Sequence, residues 1–164
     1  MTKEVKLSAH EREAPHSHLI QGLSPVIFII ISLLDGVFLH WTTQLNSIVP
    51  FMVRAILLAI FLSLALVLIK LSHDALFKDE EPSEELITEG ILGHVRNPMY
   101  LGILLIYIAF ICFSISLMSI VVFLIIVILY QRMVIQEEKI LEQLFGDEFL
   151  EYKREVPRWI PKLS

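Results

Sequence analysis

Apolar positions in this chain fall in long unbroken runs, not in the one-sided patterns that line a soluble core. Roughly 20 apolar residues cross a bilayer as a helix, and two runs have that length. The first extends from about Leu23 to Trp41, LSPVIFIIISLLDGVFLHW, and the second from about Ile48 to Leu71, IVPFMVRAILLAIFLSLALVLIKL. A third block, Pro98 to Ile135, is too long for one crossing. It reads either as one continuous helix or as two short helices joined by a tight turn at Ser114–Ser116, their reduced length absorbed by tilt or thinning. Beyond it, Ile140, Leu141, Leu144 and Phe145 recur at helical spacing, Gly146 is placed to stop that helix, and DEFLEY begins another turn. The pattern predicts an all-α membrane protein of about four transmembrane helices, both termini cytoplasmic, with a C-terminal amphipathic helical segment at the interface. Its parts are a polar tail (1–22), a transmembrane hairpin (23–72), a cytoplasmic loop (73–97), a second transmembrane hairpin (98–136) and an interfacial tail (137–164).

Composition strengthens this picture. Of 164 residues 55% are hydrophobic and the mean hydropathy is +0.70, more apolar surface than a soluble domain of this size can hide. The N-terminal MTKEVKLSAHEREAPHSHLI is polar and does not read as a signal peptide. Cys112 is the single cysteine, so no disulfide framework is expected. His10, His16 and His18 lack a Cys or acidic partner at ligand spacing and read as tail residues, not a metal site.

Charge gives the orientation. Twelve of the thirteen Lys and Arg residues fall on one side of a four-span arrangement, and the turns TTQLNS and SIS carry none. The positive-inside rule then puts both termini and the middle loop in the cytoplasm. The asymmetry also favours cutting the third block in two. The net charge of −5 argues against a nucleic-acid partner. Arg54, the thirteenth, lies inside the second span, and Asp35 inside the first at nearly equal depth. A charge in the bilayer costs a few kcal/mol unless paired or hydrated, so the two are expected to face each other.

The remaining unusual polar residues collect at the cytoplasmic ends of the last two spans. GHVRNPMY offers His94, Arg96 and Asn97 before Pro98, a good first helical residue, with Asn97 suited to cap it. Such a helix start favours an anion, for instance a metabolite carboxylate; Arg96 and Tyr100 equally read as snorkelling interface residues. Glu137 and Glu138 sit at the mouth of the fourth span, where Glu137 could face Arg96 or a ligand ammonium.

Together these stretches resemble the integral-membrane methyltransferases of the isoprenylcysteine carboxyl methyltransferase and phospholipid methyltransferase group. The first motif of that group, approximately L-V-T-x-G-x-Y-x-x-x-R-H-P-x-Y, is matched by LITEGILGHVRNPMY at Leu86, Ile87, Thr88, Gly90, Arg96, Pro98 and Tyr100. The second, a Glu pair followed by F-G, a Tyr pair and V-P, is similar to EEKILEQLFGDEFLEYKREVPRWIP. The likeness spans about residues 84 to 161. It implies S-adenosyl-L-methionine bound on the cytoplasmic face and a lipophilic or prenylated acceptor entering from the membrane lipids. By the same resemblance, Leu86 and Ile87 line the adenosyl pocket and Gly90, Leu92, His94, Asn97, Pro98, Met99 and Tyr100 surround the cofactor. Glu137 and Glu138 also bind it, Glu137 through the amino group, while Arg96 and Arg132 are the catalytic residues, Arg132 near the acceptor. Three positions depart from the pattern: Leu92 for the motif tyrosine, Asn97 for its histidine, and Glu84 where a histidine is common. A carboxylate acceptor needs no base whereas an amine must first lose a proton; with His94 the one candidate base, an isoprenylcysteine-like carboxylate is expected ahead of a phospholipid amine.

Overall fold

The computed structural model describes residues 17–76 and 85–161, and these are helical with no strand among them. Helix α1 (Ser17–Leu33) continues through a widened helical stretch, Leu34–Leu39. A short 3₁₀ turn, Gln44–Ser47, leads to α2 (Phe51–Leu76). The chain then returns through a 3₁₀ turn at Gly90–Gly93 to α3 (Pro98–Ser114), α4 (Leu117–Phe145) and α5 (Asp147–Glu155). Glu84 and the His10–His16 tail lie outside the described residues.

Three of these helices, α1, α2 and α4, are long and apolar enough to cross a membrane. Helix α3 has 17 residues, a length of roughly 26 Å at 1.5 Å per residue. Only 11% of the apolar window of α2 is buried inside the protein. Side chains such as Ile48, Met52, Ile56 and Ile60 point outward. A surface this apolar is stable against hydrocarbon and not against water, and the chain is an integral membrane protein.

The third apolar block is divided where its serines suggested. Ile115 takes a left-handed conformation (φ 44°, ψ 44°), closing α3 with its N–H on the Ile111 carbonyl at 2.7 Å. The Ser116 hydroxyl then accepts from the Ser119 N–H at 3.1 Å and caps α4. At the other end of α4, Gly146 (φ 54°) stops the helix, as its position predicted.

The first two helices do not form the expected hairpin. Instead α2 packs along α3, and α1 along α4. The α2–α3 contact is close because Gly102 has no side chain: a Cβ there would lie 3.0 Å from the Ala65 carbonyl oxygen and 3.3 Å from the Ile69 nitrogen. Helix α1 docks through polar groups at helical spacing. Its Ser24 hydroxyl meets the hydroxyls of Tyr107 (3.1 Å) and Tyr130 (3.2 Å), and Ser32 meets Ser119 at 2.8 Å. That stripe takes in the part of α1 ahead of the apolar run, where Gln21 and Ser24 face the bundle and find partners. The core between α1, α3 and α4 is built on Phe28, Leu104, Tyr107, Ile126, Tyr130 and Met133.

The expected pairing of Asp35 with Arg54 is therefore overturned. Asp35 is fully buried, accepting hydrogen bonds from the Thr42 N–H (3.0 Å) and the hydroxyls of Thr42 and Ser116. Arg54 donates to the Phe113 carbonyl at 3.0 Å and lies between the rings of Phe51 and Phe113, 5.8 and 5.9 Å from their centroids. Equal depth in sequence fails as a guide here because α1 and α2 take different neighbours. Nearby hydroxyls satisfy the carboxylate instead.

Candidate active site

The chemistry-bearing residues collect where the 85–97 loop, the start of α3, the end of α4 and the tail meet. Gly90 enters the loop's 3₁₀ turn with φ +62°, a conformation side-chain-bearing residues rarely hold. Gly93 passes so near the Thr88 carbonyl that an added Cβ would sit 3.1 Å from it. The turn buries Leu92, whose carbonyl accepts from the Tyr152 hydroxyl at 2.7 Å. A phenol from α5 thus reaches the backbone at the position where the motif has tyrosine. Burial pushes the Tyr152 phenol up to about 12. Leu86 packs beside the α5 cluster of Phe149, Tyr152 and Val156, while Ile87 is half-buried.

One buried carboxylate organises the centre. Glu138 is 3% exposed, and its Oε1 accepts from Arg96 Nε (3.2 Å), Asn97 Nδ2 (3.3 Å) and Arg158 Nε (2.9 Å). Its Oε2 accepts from Arg158 Nη2 at 2.7 Å. Arg96 Nη1 also donates to the carbonyls of Lys153 (2.7 Å) and Val156 (2.8 Å), satisfying the exposed carbonyl end of α5. The Arg96 N–H holds the Pro157 carbonyl at 2.9 Å. The hydrogen bonds to Glu138 raise the Arg158 pKa above its ordinary value. The tail is fastened again by Trp159 Nε1, which donates to Gln131 Oε1.

This geometry corrects two expectations. Arg96 does not meet Glu137, because its donors are committed to Glu138 and the end of α5. The oxygens of Glu138 are taken by two guanidinium groups and an amide. Asn97 occupies the position before α3 but does not cap it: its backbone (φ −126°, ψ 57°) leaves no side-chain cap, and its amide goes to Glu138. The N-terminus of α3 is consequently left open by the residue best suited to close it.

Glu137, one position away and about 100° round the helix, lies on a different face. It is half-buried and accepts from the Tyr100 hydroxyl at 2.8 Å. Gln21 Nε2 approaches the same hydroxyl at 3.2 Å, and the Tyr100 ring stands edge-on to Tyr130 with centroids 5.9 Å apart. Pro98 is buried and Met99 half-buried beside this group. His94 is exposed, with Nδ1 3.1 Å from the Gly90 carbonyl. Since a carbonyl can only accept, Nδ1 is the donor of this contact. Arg132 is exposed, continuing by one turn the lipid-facing line of Val121, Leu124 and Ile128. A shallow cleft lined by Ile135, Glu138, Lys139 and Glu142 follows another face of α4 and contains neither Glu137 nor Tyr100. No cluster of His, Cys, Asp and Glu able to hold a metal occurs among the described residues.

Gln21, Arg158, Gln131 and the Ser24–Tyr107–Tyr130 cluster were not foreseen. The spacing of Gln21, Ser24 and Ser32 on one side of α1 was the available signal for the first and last of these. Arg158, within VPRWIP, has nothing in its sequence surroundings that sets it apart from the other cations of the tail.

Among known proteins, the family model described as phospholipid methyltransferase matches residues 51–148, more than half of the chain. A Haemophilus influenzae protein described as uncharacterized is 37% identical over 65 residues, 38% of this chain and 100% of its own length.

Proposed function

Because the chain belongs to the phospholipid methyltransferase family and is therefore a membrane methyltransferase, we propose that it moves a methyl group from S-adenosyl-L-methionine to a lipophilic acceptor at the tail end of the bundle. The observation that carries this reading is the pairing of Glu137 with the open start of α3. A half-buried carboxylate, held by a phenol, lies near a helix N-terminus that its own cap residue has left unfilled. This donor set fits an amino-acid moiety, Glu137 taking the ammonium and the helix end favouring the carboxylate. When bound, the cofactor supplies an electrophilic methyl on a sulfonium.

The chain's own residues then position and desolvate. Glu137 and the start of α3 fix one end of the cofactor. The Glu138 cluster holds α3, α4 and the tail in one arrangement, so that these groups stay in register. Arg132, at the end of a lipid-facing line, is placed to attract an anionic group arriving from the bilayer. That supports a carboxylate acceptor such as an isoprenylcysteine. A phospholipid amine is the second reading, favoured by the family match and by the exposed imidazole of His94 in the loop before α3. The basic residues of the tail support a cytoplasmic location for this end.

Calorimetry of detergent-purified protein with S-adenosylhomocysteine tests the cofactor. Saturable binding that Glu137→Gln weakens at least tenfold is expected. Unchanged affinity in that variant removes Glu137 from the site. Transfer of labelled methyl to N-acetyl-S-farnesylcysteine or to phosphatidylethanolamine then decides the acceptor.

A further inference from the structure

The matched family stretch starts at residue 51, so α1 lies wholly outside it. We infer that α1 nevertheless completes the cofactor site, through Gln21 acting as a positioning residue for Glu137. This rests on the reading of Glu137 as the group that receives the cofactor's ammonium.

The Tyr100 hydroxyl has a single proton, and both Glu137 Oε1, at 2.8 Å, and the Gln21 side-chain amide, at 3.2 Å, lie within hydrogen-bonding reach of it. An ionised carboxylate can only accept, so the phenol donates to Glu137. Gln21 must then present its N–H₂ to the phenol oxygen. With that lone pair engaged, the hydroxyl is directed at Glu137 and kept from turning toward the amide. Hydrogen bonds in such a chain polarise one another, so the Gln21 contact strengthens the Tyr100–Glu137 bond.

The placement of Gln21 is not accidental to the fold. Ser24, one turn on, binds Tyr107 and Tyr130, and the Tyr130 ring meets the edge of Tyr100. Docking of α1 thus fixes the phenol twice, at its hydroxyl through Gln21 and at its ring through Ser24 and Tyr130. Gln21 touches neither cofactor nor acceptor in this account. It acts through Tyr100, and its removal is expected to alter cofactor affinity and nothing else in the site.

A double-mutant cycle with S-adenosylhomocysteine as probe tests this, read by calorimetry on the full chain. Gln21→Met, which keeps the side chain's length, is expected to weaken binding about fivefold, as for the loss of one hydrogen bond. Gln21→Glu, which can only accept when ionised and so contests the phenol's proton, is expected to weaken it further. Both effects should vanish in a Tyr100→Phe background, because a residue acting through the hydroxyl has nothing to act on without it. A Gln21→Met loss of equal size with and without the hydroxyl shows a merely structural role and overturns the inference, as does an unaltered affinity in Gln21→Met. Wild-type protein that fails to bind the probe refutes the cofactor reading and carries the inference down with it. Binding that Glu137→Gln leaves unchanged refutes the role of Glu137, whatever Gln21 does.

Discussion

Replacing Glu138 by Gln would undo the joint on which the candidate site depends. The substitution conserves volume, so no cavity term enters. What changes is the charge: the Arg96 and Arg158 side chains, 8% and 24% exposed, would face a neutral amide instead of a carboxylate. Breaking one buried ion pair costs about 3–5 kcal/mol when the surviving charge stays unhydrated. Arg158 is exposed enough to recover part of its hydration, whereas Arg96 is held in place by the carbonyls of Lys153 and Val156. The net cost is therefore expected near the lower end, about 3 kcal/mol. Much of it should appear as local opening of the tail, since residues 153–158 are held by these two guanidinium groups. Hydrogen exchange of α5 read by mass spectrometry is the suitable assay. An opening free energy lowered by about 3 kcal/mol corresponds to roughly a hundredfold faster exchange of the α5 amides in the limit where closing is fast. Arg158→Gln alone should give a smaller change and add little to Glu138→Gln, because both remove the same bond. Exchange altered by less than about threefold in Glu138→Gln would mean that the apolar contacts of Phe149 and Val156 hold the tail, and the joint assigned to Glu138 would be wrong.

Gly102→Val should separate α2 from α3, since its Cβ alone meets the Ala65 carbonyl oxygen at 3.0 Å; a fall in thermal midpoint of several degrees is expected, with Gly102→Ala intermediate. Asp35→Asn should destabilise the protein by about 1–3 kcal/mol through the loss of charge-assisted bonds to Thr42 and Ser116. Because Asp35 and Arg54 do not meet, Asp35→Arg with Arg54→Asp should show no rescue of either single change in thermal unfolding. The Tyr152 phenol has a folded-state pKa raised from 10 to about 12. The folded state therefore keeps its proton longer than the unfolded one, and stability is full below about pH 10 and falls as pH rises toward 12. Tyr152→Phe should flatten that part of the pH profile in unfolding monitored by Trp159 fluorescence.

The helices were legible because the bilayer imposes a length and a composition on each. Even the break at Ser114–Ser116 could be found from polarity and charge balance before any coordinates. Neighbour choice was not legible. In lipid, helices gain little from burying one apolar face instead of another, so packing follows small residues and hydrogen-bonding groups. Gly102 drew α2 to α3, and the line of Gln21, Ser24 and Ser32 drew α1 to α4, neither of which a hydropathy pattern registers. The same limit governed the site. Motif spacing placed Arg96, Asn97, Tyr100, Glu137 and Glu138 in one region, but adjacent residues on a helix point about 100° apart. Which of two neighbouring glutamates meets the arginine is a question of rotation, settled by the direction from which α3 and the tail arrive. Here the tail brings Arg158 to the same face as Arg96, and two cations on one side require the carboxylate between them. Glu137 is left on the other face, against Tyr100 and α1. That one of the paired carboxylates ties the tail to the bundle while the other meets Tyr100 follows from that rotation and from the second arginine.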